Sequence, residues 1–129
     1  MSKVKWESWL GGNWNAAANW SYGAAPTASD DAVFDLPGNY TSYITSPAVA
    51  SSLTFNAPGA TLDQIRGSLA VDGSVNIYNG VVSLNDANNT ITNSVSLYGG
   101  VLEVGNRTAL GPQASSLIVA SFLAQARKL

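Results

Sequence analysis

Cysteine and histidine are both missing from this 129-residue sequence. The first absence excludes disulfides and thiolate metal sites; the second removes the commonest general base and the imidazole metal ligand. Charge is scarce as well. Asp, Glu, Lys and Arg make up 11% of residues, against about 25% in an ordinary globular domain. Six basic and eight acidic residues leave a net charge of −2 and form no basic stripe, so nothing calls for nucleic acid as a partner. No apolar run approaches the roughly 20 residues of a membrane-spanning helix, and no membrane insertion is expected. Met1 to Lys5 leads into Trp6-Glu7-Ser8-Trp9 and not into an apolar h-region, so no secretory signal is read and synthesis in the cytoplasm is expected.

What remains is 46% hydrophobic, too apolar for a disordered chain. Abundant Ser, Thr, Asn, Gly and Ala suit a β-rich protein with many turns, solvated by hydroxyls and amides. The length fits one domain with a real core. Within it, residues 1–48 read as a Trp-rich N-terminal cap with the first strands, 49–116 as repeat coils and 117–129 as a C-terminal cap or docking tail.

The repeat is internal. Ser74-Val75-Asn76-Ile77-Tyr78 aligns with Ser94-Val95-Ser96-Leu97-Tyr98, 20 residues later. Ser52-Leu53-Thr54-Phe55 fits the same template 22 residues earlier, with one inserted residue, and Ser116-Leu117-Ile118-Val119 starts a fourth copy 22 residues later. Apolar residues alternate inside each copy (Leu53/Phe55, Val75/Ile77, Val82/Leu84, Val95/Leu97, Leu102/Val104), the period of strands with one buried face. Ser68-Leu69-Ala70-Val71 and Thr90-Ile91-Thr92 supply further short strands. Turn residues mark the corners: Asp72-Gly73, Asn79-Gly80, Asn85-Asp86, Asn88-Asn89 and Gly99-Gly100. A recurrence of 20–22 residues predicts a short right-handed parallel β-helix, which stacks Tyr78 near Tyr98. The competing architecture is an antiparallel β-sandwich or jelly roll, with Asn79-Gly80 as a type I′ hairpin turn.

A solenoid needs its ends closed. All four tryptophans, Trp6, Trp9, Trp14 and Trp20, fall in the first twenty residues. They are expected to cap the first coil, each indole N–H finding a backbone acceptor, with Asn13 and Asn19 as turn formers that bring Trp14 and Trp20 together. A subunit interface is the second reading of this cluster. The third is a glycan-stacking surface shared with Tyr22, Tyr40 and Tyr43. At the other end Phe122, Leu123 and Ala126 sit at helical spacing, the pattern of a short closing helix or of a tail docked on a neighbour.

Asp30-Asp31, with Asp35 nearby, is the one adjacent carboxylate pair. It reads as a turn over Thr27-Ala28-Ser29-Asp30 leading into the strand Ala32-Val33-Phe34, with a calcium site as the alternative. The other acids, Glu7, Asp63, Asp72, Asp86 and Glu103, form no pair suited to cleaving a polysaccharide. No catalytic residue, metal or cofactor is expected.

The segment from Trp9 to Phe34, with its GNW, ANWS, PT and DD elements, resembles the block that precedes the coils of autotransporter-type passengers and related β-helical surface proteins. Gly100-Val-Leu-Glu-Val-Gly-Asn-Arg-Thr-Ala-Leu-Gly111 is similar to passenger-associated repeats. The two blocks also resemble parts of bacteriophage structural proteins such as head decorations and fibres. The resemblance implies a surface-exposed β-helix and carries over no catalytic residue. Without a visible leader or translocator barrel, the expectation is a non-enzymatic virion decoration or fibre-type subunit, made in the host cytoplasm. It would associate with itself, a homotrimer being the first expectation, and with a capsid or other particle surface. A fragment of an adhesin passenger at the bacterial cell surface is the alternative, and a glycan-binding module the third reading.

Overall fold

A computed structural model describes residues 2–105 and 109–110, together with the backbone of two strands, Ser116–Val119 and Gln125–Lys128. Among the described residues the chain is all-β apart from one 3-10 turn at Ala17–Asn19, and it winds as a parallel β-solenoid. The strands lie on three faces of the coils. The first stacks β1 (Ser2–Lys5), β3 (Asp30–Phe34), the start of β6 (Ser52–Gln64), the start of β8 (Val75–Leu84), β10 (Ser94–Leu97) and β12 (Ser116–Val119). The second stacks β2 (Gly12–Asn13), β4 (Tyr40–Ile44), the ends of β6 and β8, β11 (Val101–Val104) and β13 (Gln125–Lys128). The third is a separate three-stranded sheet of β5 (Ala48–Ala50), β7 (Leu69–Val71) and β9 (Thr90–Ile91).

The register follows the sequence repeat. Leu53 pairs with Val75, Val75 with Val95 and Val95 with Leu117, all in parallel. Each strand buries alternate residues, so these pairings run columns of side chains down the axis. One column is Phe34, Phe55, Ile77 and Leu97; another is Leu62, Val82 and Leu102; all are buried. Outside, the Tyr78 and Tyr98 rings stack at 4.8 Å, 9° from parallel.

The Asn79-Gly80 step is a corner inside β8. Residues on both sides of it pair in parallel with β6, which excludes the hairpin. Gly80 has φ 95°, a left-handed value that favours glycine. A Cβ there would meet the Ala57 carbonyl and come within 2.6 Å of the Phe55 ring. Opposite it β6 is longer: Asn56 pairs with Asn79 but Thr61 with Val81, so the step falls from 23 to 20 residues. The single inserted residue read from the sequence is therefore an irregular corner through Ala57 and Ala60, both buried.

Two further differences stand out. Gln125–Lys128 is a strand, paired in parallel with Val101–Val104, where helical spacing predicted a closing helix. A parallel partner along the whole segment overrides local propensity. Phe122 and Leu123 lie outside the described residues. The coils also begin earlier than the Ser52 copy, because Asp31 pairs with Ser52 and Ser2 with Asp30.

The core is mostly apolar, and two amides cross it. Gln64 occupies the inward column between Ile44 and Leu84, and Asn89 precedes β9; both are fully buried. Their amides bond reciprocally, Gln64 Nε2 to Asn89 Oδ1 at 2.6 Å and Asn89 Nδ2 to Gln64 Oε1 at 2.8 Å. Gln64 also donates to the Gly67 carbonyl and accepts from the Asn85 and Asp86 N–H groups. Asn89 accepts from Leu69 N–H and donates to the Ala109 carbonyl. Every amide hydrogen and oxygen of the pair is used, as a buried polar group requires.

Ser42 is the opposite case. Its side chain is buried in the column that continues through Leu62 and Val82, and its Oγ has no hydrogen-bond partner. Ser42→Ala should therefore raise unfolding stability by about 1 kcal/mol, since an unpaired buried hydroxyl is a net cost. Urea unfolding checks this; a clear loss of stability would mean the hydroxyl has a partner.

Candidate functional site

The first coil has no predecessor among the described residues to cover it, and the aromatic segment fills that position. Trp6 continues β1, its N–H donating to the Val33 carbonyl at 2.9 Å. The chain then returns so that Trp6 and Trp20 form an antiparallel bridge. Glu7 N–H donates to the Asn19 carbonyl and Ser21 N–H to the Lys5 carbonyl, both at 2.8 Å. A reversed strand on the edge of a parallel stack uses the hydrogen bonds that another coil would take. Asn13 and Asn19 act together: Asn19 Nδ2 bonds the Asn13 carbonyl at 3.0 Å, and Asn13 Oδ1 accepts from the Thr45 hydroxyl. Asn15 reaches the entry to the third face, donating to Ser46 Oγ and the Pro47 carbonyl.

These bonds bring three indoles together over Phe34. Trp6 and Trp20 meet edge to face at 5.2 Å, Trp14 and Trp20 at 5.1 Å, and the Phe34 ring lies 5.3–5.7 Å from all three. Phe55 continues the stack below Phe34 at 5.0 Å. Edge-to-face and offset contacts at these spacings are the favourable arrangements of aromatic rings. Trp6, Trp14 and Trp20 are buried and present no face to solvent. Trp6 Nε1 donates to the Ser8 carbonyl and Trp20 Nε1 to the Trp14 carbonyl, whereas Trp14 Nε1 has no partner. The expected backbone acceptor is thus found for two indoles of the three.

Trp9 is not part of this cluster. It sits with Leu10 on a turn closed by Gly11 N–H to the Ser8 carbonyl and by the Ser8 hydroxyl to the Gly11 carbonyl. The two side chains are 69% and 79% exposed, the highest among the large hydrophobic residues described. The tryptophans therefore divide into a buried trio and one projecting ring. The tyrosines grouped with them disperse: Tyr22 and Tyr43 are exposed, while Tyr40 is buried against Trp6, its hydroxyl bonded to the Leu36 carbonyl at 3.0 Å. Burial, and secondarily the Asp35 carboxylate, pushes the Tyr40 phenol up to about 12. An unfolded phenol ionises near 10, so Tyr40 contributes fully below pH 10 and its contribution is lost as the pH rises toward 12. Unfolding midpoints followed over that range should fall less for Tyr40→Phe than for the wild type.

The carboxylate pair is occupied locally. Asp30 Oδ2 accepts from both the N–H and the hydroxyl of Thr27, which holds its carboxyl below the usual value. Asp31 accepts from Ser52 Oγ at 2.7 Å, and Asp35 pairs with Lys5 at 3.3 Å. This is the turn that the sequence suggested. Among the described residues no three Asp or Glu side chains converge as a metal site would require.

One concave feature lies on the third face. The outward residues Val49, Ala70 and Thr90 follow one another in register. With Ala28, Asp72 and Thr92 they line a shallow trough of about 370 Å³. Its small side chains gave no signal in the sequence, because the pattern emerges only once coils stack.

Comparison with protein-family models, with curated proteins and with solved structures finds no match for this chain.

Proposed function

We propose that this chain is a non-enzymatic structural module, a short β-solenoid displayed on a particle surface in the manner of a virion decoration or fibre subunit. The observation that carries the reading is the buried trio of Trp6, Trp14 and Trp20, which closes one end of a stack of parallel coils. Such a stack is stiff, and its polar surface is mostly hydroxyl and amide, with an ion pair between Lys5 and Asp35. Apolar contacts through an end or flank would then hold it to a particle and to other copies. Mass spectrometry of purified particles tests the proposal: the chain should be present in many copies, and its absence from particles would remove the virion reading.

A second reading is a segment of an adhesin-type passenger at the bacterial cell surface. It is favoured by the C-terminal strands, where Ser116 and Gln125 keep parallel register with Ser94 and Val101. A gene continuing through more coils into a translocator barrel would select it.

A further inference from the structure

The Asn79-Gly80 corner carries chemistry that its structural role does not use. It is the one place in the sequence where Asn precedes Gly. A backbone nitrogen can attack the side-chain carbonyl of the residue before it, and glycine offers that nitrogen with no side chain in the way. The fold nevertheless needs both residues. Gly80 takes the left-handed φ of the corner, and Asn79 Nδ2 donates to Asn56 Oδ1 of the preceding coil at 2.7 Å. We propose that Asn79-Gly80 is a latent site of spontaneous covalent modification, closed in the fold by Asn56 and the two neighbouring coils, at which the Asn79 amide is lost through a cyclic imide once the corner opens.

The reaction needs water alone. The Gly80 nitrogen bonds to Asn79 Cγ and gives up its proton to solvent; the Cγ–Nδ2 bond breaks and ammonia leaves. Water then opens the five-membered imide at either carbonyl. Opening at the side-chain carbonyl leaves an aspartate with an unchanged backbone. Opening at the main-chain carbonyl routes the chain through Cγ, an isoaspartate whose backbone is longer by one carbon.

Asn79 is exposed, so water reaches its amide, but Gly80 is buried. Ring closure requires the Gly80 nitrogen to swing beside Asn79 Cβ, outside the extended range of a strand residue. Asn79 lies within β8, which is held in parallel register on either side of it: Ile77 pairs with Phe55 and Leu97, and Val81 with Thr61 and Val101. The Gly80 peptide has no room to swing. The Ala57 and Ala60 carbonyls and the Phe55 ring lie against it on one side, and on the other a Cβ on Gly100 would come 2.9 Å from its nitrogen. The bond to Asn56 holds the leaving amide itself. Once isoaspartate has formed, its extra backbone carbon puts Ile77 or Val81 out of register with both neighbouring coils. Modification therefore traps the opened corner and makes a passing fluctuation permanent. This inference does not rest on the particle-surface reading.

Peptide mass spectrometry after incubation in mildly alkaline buffer provides the test, applied to native wild type, wild type in guanidinium chloride and native Asn56→Ala. In denaturant Asn79 should be the first asparagine converted, seen as the mass gain of a carboxyl replacing an amide. Asp72-Gly73 can close the same ring but loses water in place of ammonia, so it gives no net mass gain. Native wild type should convert at least about tenfold more slowly, because the corner reacts only while it is open. Asn56 is exposed, and circular dichroism checks that its alanine variant is folded. That variant should convert about fivefold faster than native wild type, the weight of one hydrogen bond. Removing the denaturant then tests the register: chains carrying isoaspartate should not regain the native unfolding midpoint, whereas Asn79→Asp, with its ordinary backbone, should regain it. Equal rates in native and denatured wild type, earlier conversion at another asparagine, Asn56→Ala converting like wild type, or full recovery of the isoaspartate chains would each overturn the proposal.

Discussion

Trp20→Ala should lower the unfolding free energy by about 3–5 kcal/mol, the range for truncating a fully buried large aromatic side chain. The ring touches Trp6, Trp14 and Phe34 at once, so its loss opens a hole where the cap meets the first coil. Trp20→Phe separates two contributions. It keeps most of the packing and removes the bond to the Trp14 carbonyl, for an expected further cost of about 1 kcal/mol from that bond. Trp9→Ala is the control, because an exposed ring away from the core should change stability by no more than about 0.5 kcal/mol. Urea unfolding of the three variants measures all of this. Adding Trp14→Ala to the series decides on the sugar-stacking reading: a ligand platform would lose binding in Trp14→Ala or Trp20→Ala while the fold remained intact. Unchanged midpoints in those variants would refute the cap.

The second large effect is expected at Asn89. Alanine there strands the Leu69 N–H, the Ala109 carbonyl and half of the Gln64 amide, all inside the core. At about 1–3 kcal/mol for each buried group left without a partner, the loss should be at least about 3 kcal/mol. Gln64→Leu matches the apolar neighbours in its column but leaves the Asn85 and Asp86 N–H groups without their shared acceptor. Because Asn89 and Gln64 bond each other, their effects should not add. The double variant should lose clearly less than the sum of the single variants, and a double-mutant cycle measures the difference. Additive losses would mean that the two amides act independently.

The coils from Ser52 onward were legible because hydroxyl and apolar positions repeat every 20–22 residues, and the strands keep that same register. The N-terminal coil was hidden for two reasons. Its step is longer, Ser2 to Asp30 and Gly12 to Ser42, and Asp31 takes the position that serine holds in later copies. There its carboxylate accepts from Ser52, a role that a search for identical residues passes over. The amide pair was missed because Asn89 carries the ordinary signature of a corner. Gln64 left a fainter trace, as a polar residue at the spacing of Ile44 and Leu84. At the aromatic end, composition pointed to a cap, but only the fold separates Trp9 from the other three. That separation depends on the Ser8–Gly11 turn, whose hydrogen bonds are local and common to many short turns.

The antiparallel bridge between Trp6 and Trp20 also gives the molecule a direction. In a uniform parallel stack either end could nucleate a new layer, so fusion of two molecules would be limited only by encounter. Here the leading end is plugged: Asn19–Ser21 runs against the sense of the strands, and Asn15 and Asn19 tie off the adjoining faces. A molecule built this way behaves like a filament with one blocked tip. The reversed Asn19–Ser21 segment takes the edge hydrogen bonds at Lys5 and Glu7 that a further parallel coil would otherwise use.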